Sequence, residues 1–413
     1  MHVQKIINYP MKRSSLFLFI FLAGIMSLQA QLTYDETGGK DRLNTITTAV
    51  PFLMIAPDAR GGGLGDAGVA SSPDANSMHW NPAKYAFVDK KMGFSISFSP
   101  WLRKLVNDIY LGYLTGYYKI DDRQTVAMGL RYFSLGQILF TDEIGNPLNY
   151  YSPYEFALDG TYARKFSDNW AGGIAARFIY SNLTQGQFVG GAESSAGISV
   201  AADVSVYYQN DVEMGAIDGV FAWGLNISNI GTKISYNQTN IEKDFIPTNF
   251  RIGPSLKINI DEYNSMTFML DINKLLVPTP PIYLRDDSTG QFIVAPDGEK
   301  VIAKGMNPDV SVVSGMIQSW YDAPNGFSEE LREFSFGGGV EYWYNKLFAI
   351  RGGFFYEDKT KGNRKFFTLG AGLRYNVFSI DFAYLIPLEQ QNPLENTLRF
   401  YLLFDFDAFT GQE

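Results

Sequence analysis

The sequence of 413 residues contains no cysteine and only two histidines. Without thiols the chain forms no disulfide, offers no cysteine nucleophile and cannot carry a lipid on an N-terminal cysteine. His79 is the only histidine beyond residue 30, and a single histidine without cysteine partners does not indicate a metal site. The sequence therefore predicts no metal, no cofactor and no catalytic residues, and we expect a protein that is not an enzyme.

The chain also has too few basic residues for a nucleic-acid partner. Lys and Arg number 34 against 43 Asp and Glu, which gives a net charge of −9. Binding of a phosphate backbone requires a basic patch. The balance therefore predicts that no nucleic acid binds.

Long apolar runs are missing except near the start of the chain. Lys12 and Arg13 precede the apolar run 16–26, and the small residue Ala30 follows it. A basic start, a short apolar run and a small residue are typical of a signal peptide. We predict a signal peptide over residues 1–30 and an exported protein, with an N-terminal membrane anchor as the alternative. The mean hydropathy of −0.09 excludes a helical membrane protein.

Glycine and aromatic residues are abundant, with 40 Gly, 32 Phe and 25 Tyr. From residue 92 onward, apolar side chains alternate with polar ones in units of about ten residues. Successive side chains of a strand point to opposite faces. In the last unit the apolar face holds Leu398, Phe400, Leu402, Phe404 and Phe406, and the other face holds Thr397, Arg399, Tyr401 and Asp405. A large aromatic face on nearly every strand indicates a β-barrel in lipid.

Counting these units predicts an all-β fold, a transmembrane antiparallel β-barrel of about 14 strands. An even number is usual for single-chain barrels of the outer membrane. The predicted strands are 92–99, 108–120, 125–140, 153–167, 170–183, 195–209, 219–236, 248–261, 264–277, 334–345, 347–357, 365–377, 379–387 and 395–406.

The connections between the predicted strands alternate between short and long. The short ones are 121–124, 168–169, 262–263, 346 and 378, and the long ones are 141–152, 184–194, 237–247, 278–333, 358–364 and 388–394. Outer-membrane barrels have short periplasmic turns and longer extracellular loops. We therefore predict the long connections outside the cell and the termini in the periplasm. The segment 210–218 is an exception, because it is a longer connection on the periplasmic side.

Charged residues fall on the polar face of the predicted strands. We expect them to face the lumen, because charges near the middle of the bilayer are costly. They could line a solute pathway or form a salt-bridged filling, and the sequence leaves both open. The residues are Asp271, Glu341, Arg374, Asp381, Arg399 and Asp405.

Residues 31–91 form an N-terminal extension without strand alternation, and we predict that it contains a hatch that plugs the barrel of residues 92–413. The glycine run 61–65 lacks the strand before it and the helix with Lys-Ser/Thr after it that a phosphate loop needs. In the motif Asn81-Pro82-Ala83, proline fixes its own backbone angle and favours an extended Asn81. The motif either shapes the hatch or lines a ligand path.

The connection 278–333 is far longer than an ordinary loop, and such loops are often functional. It begins with several prolines and later carries apolar and aromatic side chains. These could contact another protein, or could pack on a helix of the loop and cover the barrel mouth. The candidate contact residues are Tyr283, Met316, Trp320, Tyr321 and Phe327.

Residues 57–87, with the glycine-rich segment and Trp80-Asn81-Pro82-Ala83, resemble the hatch of FadL-like outer-membrane proteins. The whole chain after the signal peptide is similar to the PorV (LptO) family, the FadL-like component of the type IX secretion system. That resemblance implies a non-enzymatic protein of the outer membrane, in contact with its lipid. It also implies docking to a large translocon channel, binding of cargo with C-terminal export domains, and delivery to a surface attachment complex. It assigns no residue to cargo binding. The alternative is a FadL-like channel for small hydrophobic molecules.

Overall fold

The computed structural model describes residues 43–406 apart from 105, 142–143, 145, 185, 187, 190–191, 216, 238–242, 287, 390–392 and 396. The predicted signal peptide, 1–30, and the first part of the N-terminal extension lie outside the described residues.

Fourteen antiparallel strands form a closed barrel, as the sequence predicts. Each strand pairs with its neighbours along the chain, and the last pairs with the first through Met92 and Phe406. The strands are β1 (Met92–Pro100), β2 (Ile109–Lys119), β3 (Gln124–Leu135), β4 (Tyr154–Lys165), β5 (Trp170–Asn182), β6 (Gly197–Met214), β7 (Ile217–Gly231), β8 (Asn249–Asn259), β9 (Asn264–Leu275), β10 (Phe334–Tyr344), β11 (Phe348–Tyr356), β12 (Lys365–Tyr375), β13 (Phe378–Pro387) and β14 (Leu398–Phe406).

The two faces of β1 show why the alternating pattern forms a barrel. Phe94, Ile96 and Phe98 are exposed on the outer surface, whereas Ser95 and Ser97 are buried on the lumen side. An outward band of this kind is stable in lipid because the apolar side chains need no burial against protein.

A row of aromatic rings runs around the outside of the barrel near one rim. Neighbouring rings lie 5.4, 6.2, 5.9 and 6.0 Å apart between centroids, in the order Phe98, Tyr110, Tyr132, Tyr154 and Tyr180. Aromatic girdles mark the interface between membrane and water in such barrels. The row therefore marks one membrane boundary on this side of the barrel.

The barrel has a short-turn rim and a long-loop rim. The predicted exception at 210–218 is wrong, because β6 runs to Met214 and β7 starts at Ile217, which leaves a tight turn. The successive residues Asn210 and Asp211 make both faces of the strand polar, so the alternation of apolar and polar side chains ends before the strand does. The corrected turn makes the alternation of short and long connections regular.

The helical turns and hairpins that are not part of the barrel wall are short. The hatch contains α1 (Ala59–Gly62), α2 (Ser77–Trp80) and 3₁₀ turns Pro51–Met54 and Pro82–Phe87; the longest connection contains α3 (Val312–Gln318), α4 (Phe327–Glu330) and a 3₁₀ turn Leu331–Glu333. Short hairpins pair Ile138–Thr141 with Pro147–Tyr151, Phe188–Val189 with Ala192–Glu193, and Ile282–Tyr283 with Ile302–Lys304. None of the described helices has the length and apolar character needed to cross a membrane.

The hatch runs through the lumen from the long-loop rim to the short-turn rim. At its start the Asn44 amide donates to the Thr360 carbonyl at 3.0 Å, and the Ala49 amide donates to Phe245 at 2.9 Å. At its end the chain enters β1 on the short-turn side. The last strand, β14, ends at the short-turn rim, whereas the described chain begins at the long-loop rim. The termini, which we predict in the periplasm, lie outside the described residues.

Candidate functional site

The Trp80 indole ring is the centre of the hatch and explains its glycines. A Cβ atom on Gly61 or Gly68 would overlap the ring, so only glycine permits this packing. The indole Nε1 donates to the Asp58 carboxylate at 2.7 Å, and the same carboxylate caps α1 by accepting from the Gly61 amide at 2.8 Å. The Arg251 guanidinium of the wall lies 4.8 Å from the ring centroid. The glycine-rich segment and Trp80 thus form one packed unit.

Asn81 is fully buried, and its side chain joins three parts of the protein. The Nδ2 group donates to the carbonyls of Val69 at 3.1 Å and Val206 at 3.0 Å. The Oδ1 atom accepts from the Ala83 amide at 3.0 Å, which caps the 3₁₀ turn beginning at Pro82. These contacts favour the shaping of the hatch over the lining of a ligand path.

His79 packs within the same unit. Its ring lies edge-on to Trp80 at 4.6 Å, and its Nδ1 atom is 2.9 Å from the Arg131 guanidinium. Across the part of the chain that the structure describes, no three His, Asp or Glu side chains are grouped so as to hold a metal ion.

An ion network joins the hatch to the wall at β10. The Arg60 guanidinium donates to Glu341 at 3.0 and 2.9 Å and to Asp74 of the hatch at 3.0 Å. Glu341 also accepts from Arg351 at 2.7 Å, and Arg351 continues to Asp381. These side chains are buried, so each charge depends on its partners.

Two further wall residues hold the hatch from other sides. Arg399 pairs with Asp66, and the Asp271 carboxylate accepts from the amides of Gly68 at 2.8 Å and Val69 at 3.0 Å. Three of the predicted lumen-facing charges, Glu341, Arg399 and Asp271, thus bind the hatch directly, as in the salt-bridged filling that the sequence left open.

The two remaining charges of that set lie nearer the short-turn rim. Asp405 accepts from the Tyr117 hydroxyl at 3.0 Å, and the Arg374 guanidinium lies 4.9 Å from the Trp343 ring.

Glycines of the wall let the hatch backbone approach closely, a feature that sequence analysis missed. A Cβ atom on Gly353 would overlap the backbone of Leu64 and Gly65, and one on Gly339 would crowd Leu64. Gly65 itself has a φ of 72°, which favours glycine. The signal was present as glycines within strands, which often mark close backbone approach.

Part of the long connection packs against the outer wall of the barrel. Its Trp320 ring packs on two outward-facing rings, Phe250 of β8 at 5.6 Å and Phe334 of β10 at 6.2 Å. Lys274 of β9 also points outward, yet the loop buries it against Glu330 and Glu333. The loop helices therefore lie at the side of the barrel near its rim.

The predicted contact residues differ in exposure. Trp320, Tyr321 and Phe327 are 43%, 60% and 76% exposed, whereas Tyr283 and Met316 are half-buried. Sequence analysis missed three more exposed apolar residues near them, although their helical spacing could have shown them. We call the combined set the loop patch: Val313, Ile317, Trp320, Tyr321, Phe327 and Leu331.

Buried ion pairs fix the base of the loop patch. Lys361, from the connection after β11, contacts Glu329 at 2.7 Å and Glu333 at 3.0 Å. Lys274 contacts Glu333 at 2.5 Å, so this carboxylate is shared by two lysines. Asn44 of the hatch donates to Glu329 at 2.9 Å. The loop is therefore held to the barrel and to the hatch together.

A protein-family model with the description "Type IX secretion system protein PorV" matches residues 38–282. This range contains the hatch and β1–β9 and exceeds half of the chain. No curated protein sequence matches the chain.

The chain is also similar, at low identity, to solved structures of two toluene transporters and a FadL homologue. The toluene transporter TbuX of Ralstonia pickettii is 10% identical, with 86% of this chain and 99% of that chain covered and a TM-score of 0.44. The toluene transporter TodX of Pseudomonas putida is 10% identical, with 89% of this chain and 100% of that chain covered and a TM-score of 0.42. A FadL homologue of Pseudomonas aeruginosa is 13% identical, with 88% of this chain and 100% of that chain covered and a TM-score of 0.39. The fold assignment itself rests on the strand pairing described above.

Proposed function

Because the chain belongs to the PorV family of type IX secretion system proteins, we propose that it docks to the translocon channel in the outer membrane and binds exported cargo. The cargo would be recognised through C-terminal export domains and delivered to the surface attachment complex. The role is non-enzymatic: the protein contributes binding surfaces.

The observation that carries the docking proposal is the loop patch. Its aromatic and aliphatic side chains remain exposed although the loop beneath them is tied down by buried ion pairs. Aromatic anchors on a pre-organised support are typical of protein interfaces, because little conformational entropy is lost on binding. The patch lies at the side of the barrel, where a neighbouring membrane protein would meet it.

A channel for small hydrophobic molecules is the alternative. Such a channel would need the hatch to leave its position or to open. The buried bridges from Arg60 to Glu341 and from Asp66 to Arg399 hold the hatch at two sides of the lumen. They favour a protein that keeps its lumen filled and works through its outer surface.

Purification from the native membrane in mild detergent tests the proposal. We expect a large outer-membrane protein and exported cargo to co-purify with the chain. The variant Ile317→Ser/Phe327→Ser should lose the large protein while its barrel stays folded, because both side chains are exposed. Ile260→Ser/Tyr263→Ser is a matched control, since these residues are similarly exposed at the short-turn rim.

Two outcomes would contradict the proposal. Absence of both partners from the unmodified protein, together with tight binding of hydrophobic ligands, favours the channel. Retention of the large protein by the loop-patch variant removes the patch as the docking site.

Deletion of residues 284–328 tests the whole long connection rather than single side chains of the loop patch. We expect this deletion to stop cargo export and surface anchoring.

A further inference from the structure

A pocket of about 370 Å³ opens at the long-loop rim, between the first residues of the hatch and the wall. It is separate from the loop patch and from the ion network of the hatch. The hatch contributes one side, so the pocket exists only when the hatch is in place. The lining residues are Thr47, Thr48, Ala49, Val50, Pro51, Phe133, Leu135, Glu155, Leu183, Tyr236 and Asp244.

Most of the pocket wall is apolar. Val50 of the hatch and Phe133 of β3 are buried at its floor, and Leu135 and Leu183 stand nearer the rim. Small-molecule sites are commonly concave and mainly apolar, with a few polar groups that orient the ligand. An alkyl or aryl group would lose contact with water along these walls, which is the main source of affinity for such groups.

A buried carboxyl group lies within this mainly apolar surface. Glu155 of β4 is only 3% exposed. Its Oε1 atom accepts from the Ser181 hydroxyl at 2.6 Å, and Ser181 in turn accepts from the Tyr236 hydroxyl at 3.0 Å. This chain of hydrogen bonds fixes the direction of the carboxyl group. Because Glu155 lines the pocket, a ligand inside the pocket can reach this carboxyl group.

The pocket lining is acidic. Asp244 adds a second carboxylate, and none of the lining residues that the structure describes is Lys or Arg. A carboxylate in an apolar site is costly unless a cation or several donors satisfy it. A ligand ammonium supplies both a charge and donors. A ligand carboxylate would meet two groups of its own sign.

We propose that this pocket binds a primary amine attached to a short apolar chain. The ammonium group donates to Glu155, and the apolar chain packs on Val50 and Phe133. Two sources share this chemistry, a free alkylamine and the lysine side chain of a peptide reaching the rim from outside. The site is independent of the secretion role and goes beyond it.

Calorimetric titration of the purified protein in dodecyl maltoside tests the pocket. The probes are hexylamine, hexanol and hexanoate, which share one apolar chain and differ in the head group. We expect hexylamine to bind more tightly than hexanol and hexanoate not to bind. Glu155→Gln should weaken hexylamine by about 10- to 100-fold, the usual value of a hydrogen bond to a charged group. Glu299→Gln, an exposed carboxylate in the long connection, should leave binding unchanged.

A second variant covers the case in which Glu155→Gln fails to fold. Leu183→Trp keeps the carboxylate but fills the pocket from the rim, and it should also abolish binding. The tripeptide acetyl-glycyl-lysyl-glycine amide separates the two sources, because its lysine side chain is its only primary amine: competition with hexylamine assigns the pocket to peptide lysines, and no competition assigns it to free amines. Equal binding of hexanoate and hexylamine, or unchanged binding of hexylamine by both folded variants, overturns the proposal.

Discussion

Arg60 of the hatch and Glu341 of β10 form a two-pronged ion pair across 281 residues of sequence, with Nε to Oε2 at 3.0 Å and Nη2 to Oε1 at 2.9 Å. Both side chains are buried, and Glu341 also forms an ion pair with Arg351 of the next strand. The pair therefore connects the plug to a network that already belongs to the wall. Loss of either partner leaves a buried charge behind.

Replacement of Arg60 by Met should destabilise the protein by about 3–5 kcal/mol, the usual cost of breaking a buried ion pair. Urea unfolding of the protein in detergent measures the loss. Lys104→Met is the matched control, because its pair with Glu395 lies at the surface and should contribute less than about 1 kcal/mol. Equal losses in the two variants would show that the hatch bridge is not energetically special.

Gly353→Ala and Gly352→Ala should differ sharply although the residues are adjacent. A methyl group on Gly353 overlaps the backbone of the hatch at Leu64 and Gly65, whereas one on Gly352 has no atom within 4 Å. We expect lower heat stability and faster proteolysis of the hatch in Gly353→Ala only. Equal behaviour of the two would mean that the hatch does not press on this part of the wall.

Asn81→Ala should cost about 1–3 kcal/mol, because it removes the donor to the buried carbonyls of Val69 and Val206, whereas the Ala83 amide keeps the Ser205 hydroxyl as an acceptor. Thermal unfolding measures the change. Asn325→Ala, at an exposed position of the long connection, is the control and should have little effect. A small effect at Asn81 accompanied by altered binding of a hydrophobic ligand would instead support the ligand-path hypothesis.

The long connection should be held less firmly as the pH rises from about 4 to 6. Burial raises the pKa of Asp322 from its usual 3.8 to about 6, although the Thr279 amide donates to the carboxylate. The folded loop therefore binds this proton more tightly than the unfolded loop. Its stability is greatest below the unfolded pKa, falls between the two values and is level above about pH 6.

Hydrogen-exchange protection of the Thr279 amide measures this dependence. Asp322→Asn should remove the pH dependence, because the side-chain amide of asparagine does not titrate between about pH 4 and 6. Asp309→Asn should keep it, since Asp309 is an exposed carboxylate that pairs with Lys233. A profile that is unchanged in Asp322→Asn would assign the pH dependence to another group.

The barrel was predictable because lipid imposes a local rule on every strand. In β14 each outward position must be apolar, so Leu398, Phe400 and Leu402 identify the strand without knowledge of its neighbours. The rule fails beyond the membrane, which is why the end of β6 was missed: Asn210 and Asp211 face no lipid. Strand pairing then followed from the order of the chain.

The site was less predictable because its contacts are distant in sequence. The sequence identifies Trp80 and the glycine run as unusual, but the packing of the indole on Gly61 requires the hatch path. The wall partner of Arg60 is 281 residues away in the sequence, and Glu341 could have faced an open pathway equally well. The exposed helical face of Val313 and Ile317 was readable from spacing, whereas its position on the outer wall depends on Phe250 and Phe334.

The hatch path has a consequence for the order of assembly. The hatch occupies the lumen from rim to rim and continues directly into β1, whose free edge is closed by β14, the last strand to be synthesised. If this seam formed first, the hatch would have to enter through a rim, and Glu341 and Arg399 of the wall would lack their hatch partners until it did. We therefore expect the seam to close around a hatch that is already inside, so that the membrane machinery inserts a filled cylinder rather than an empty one.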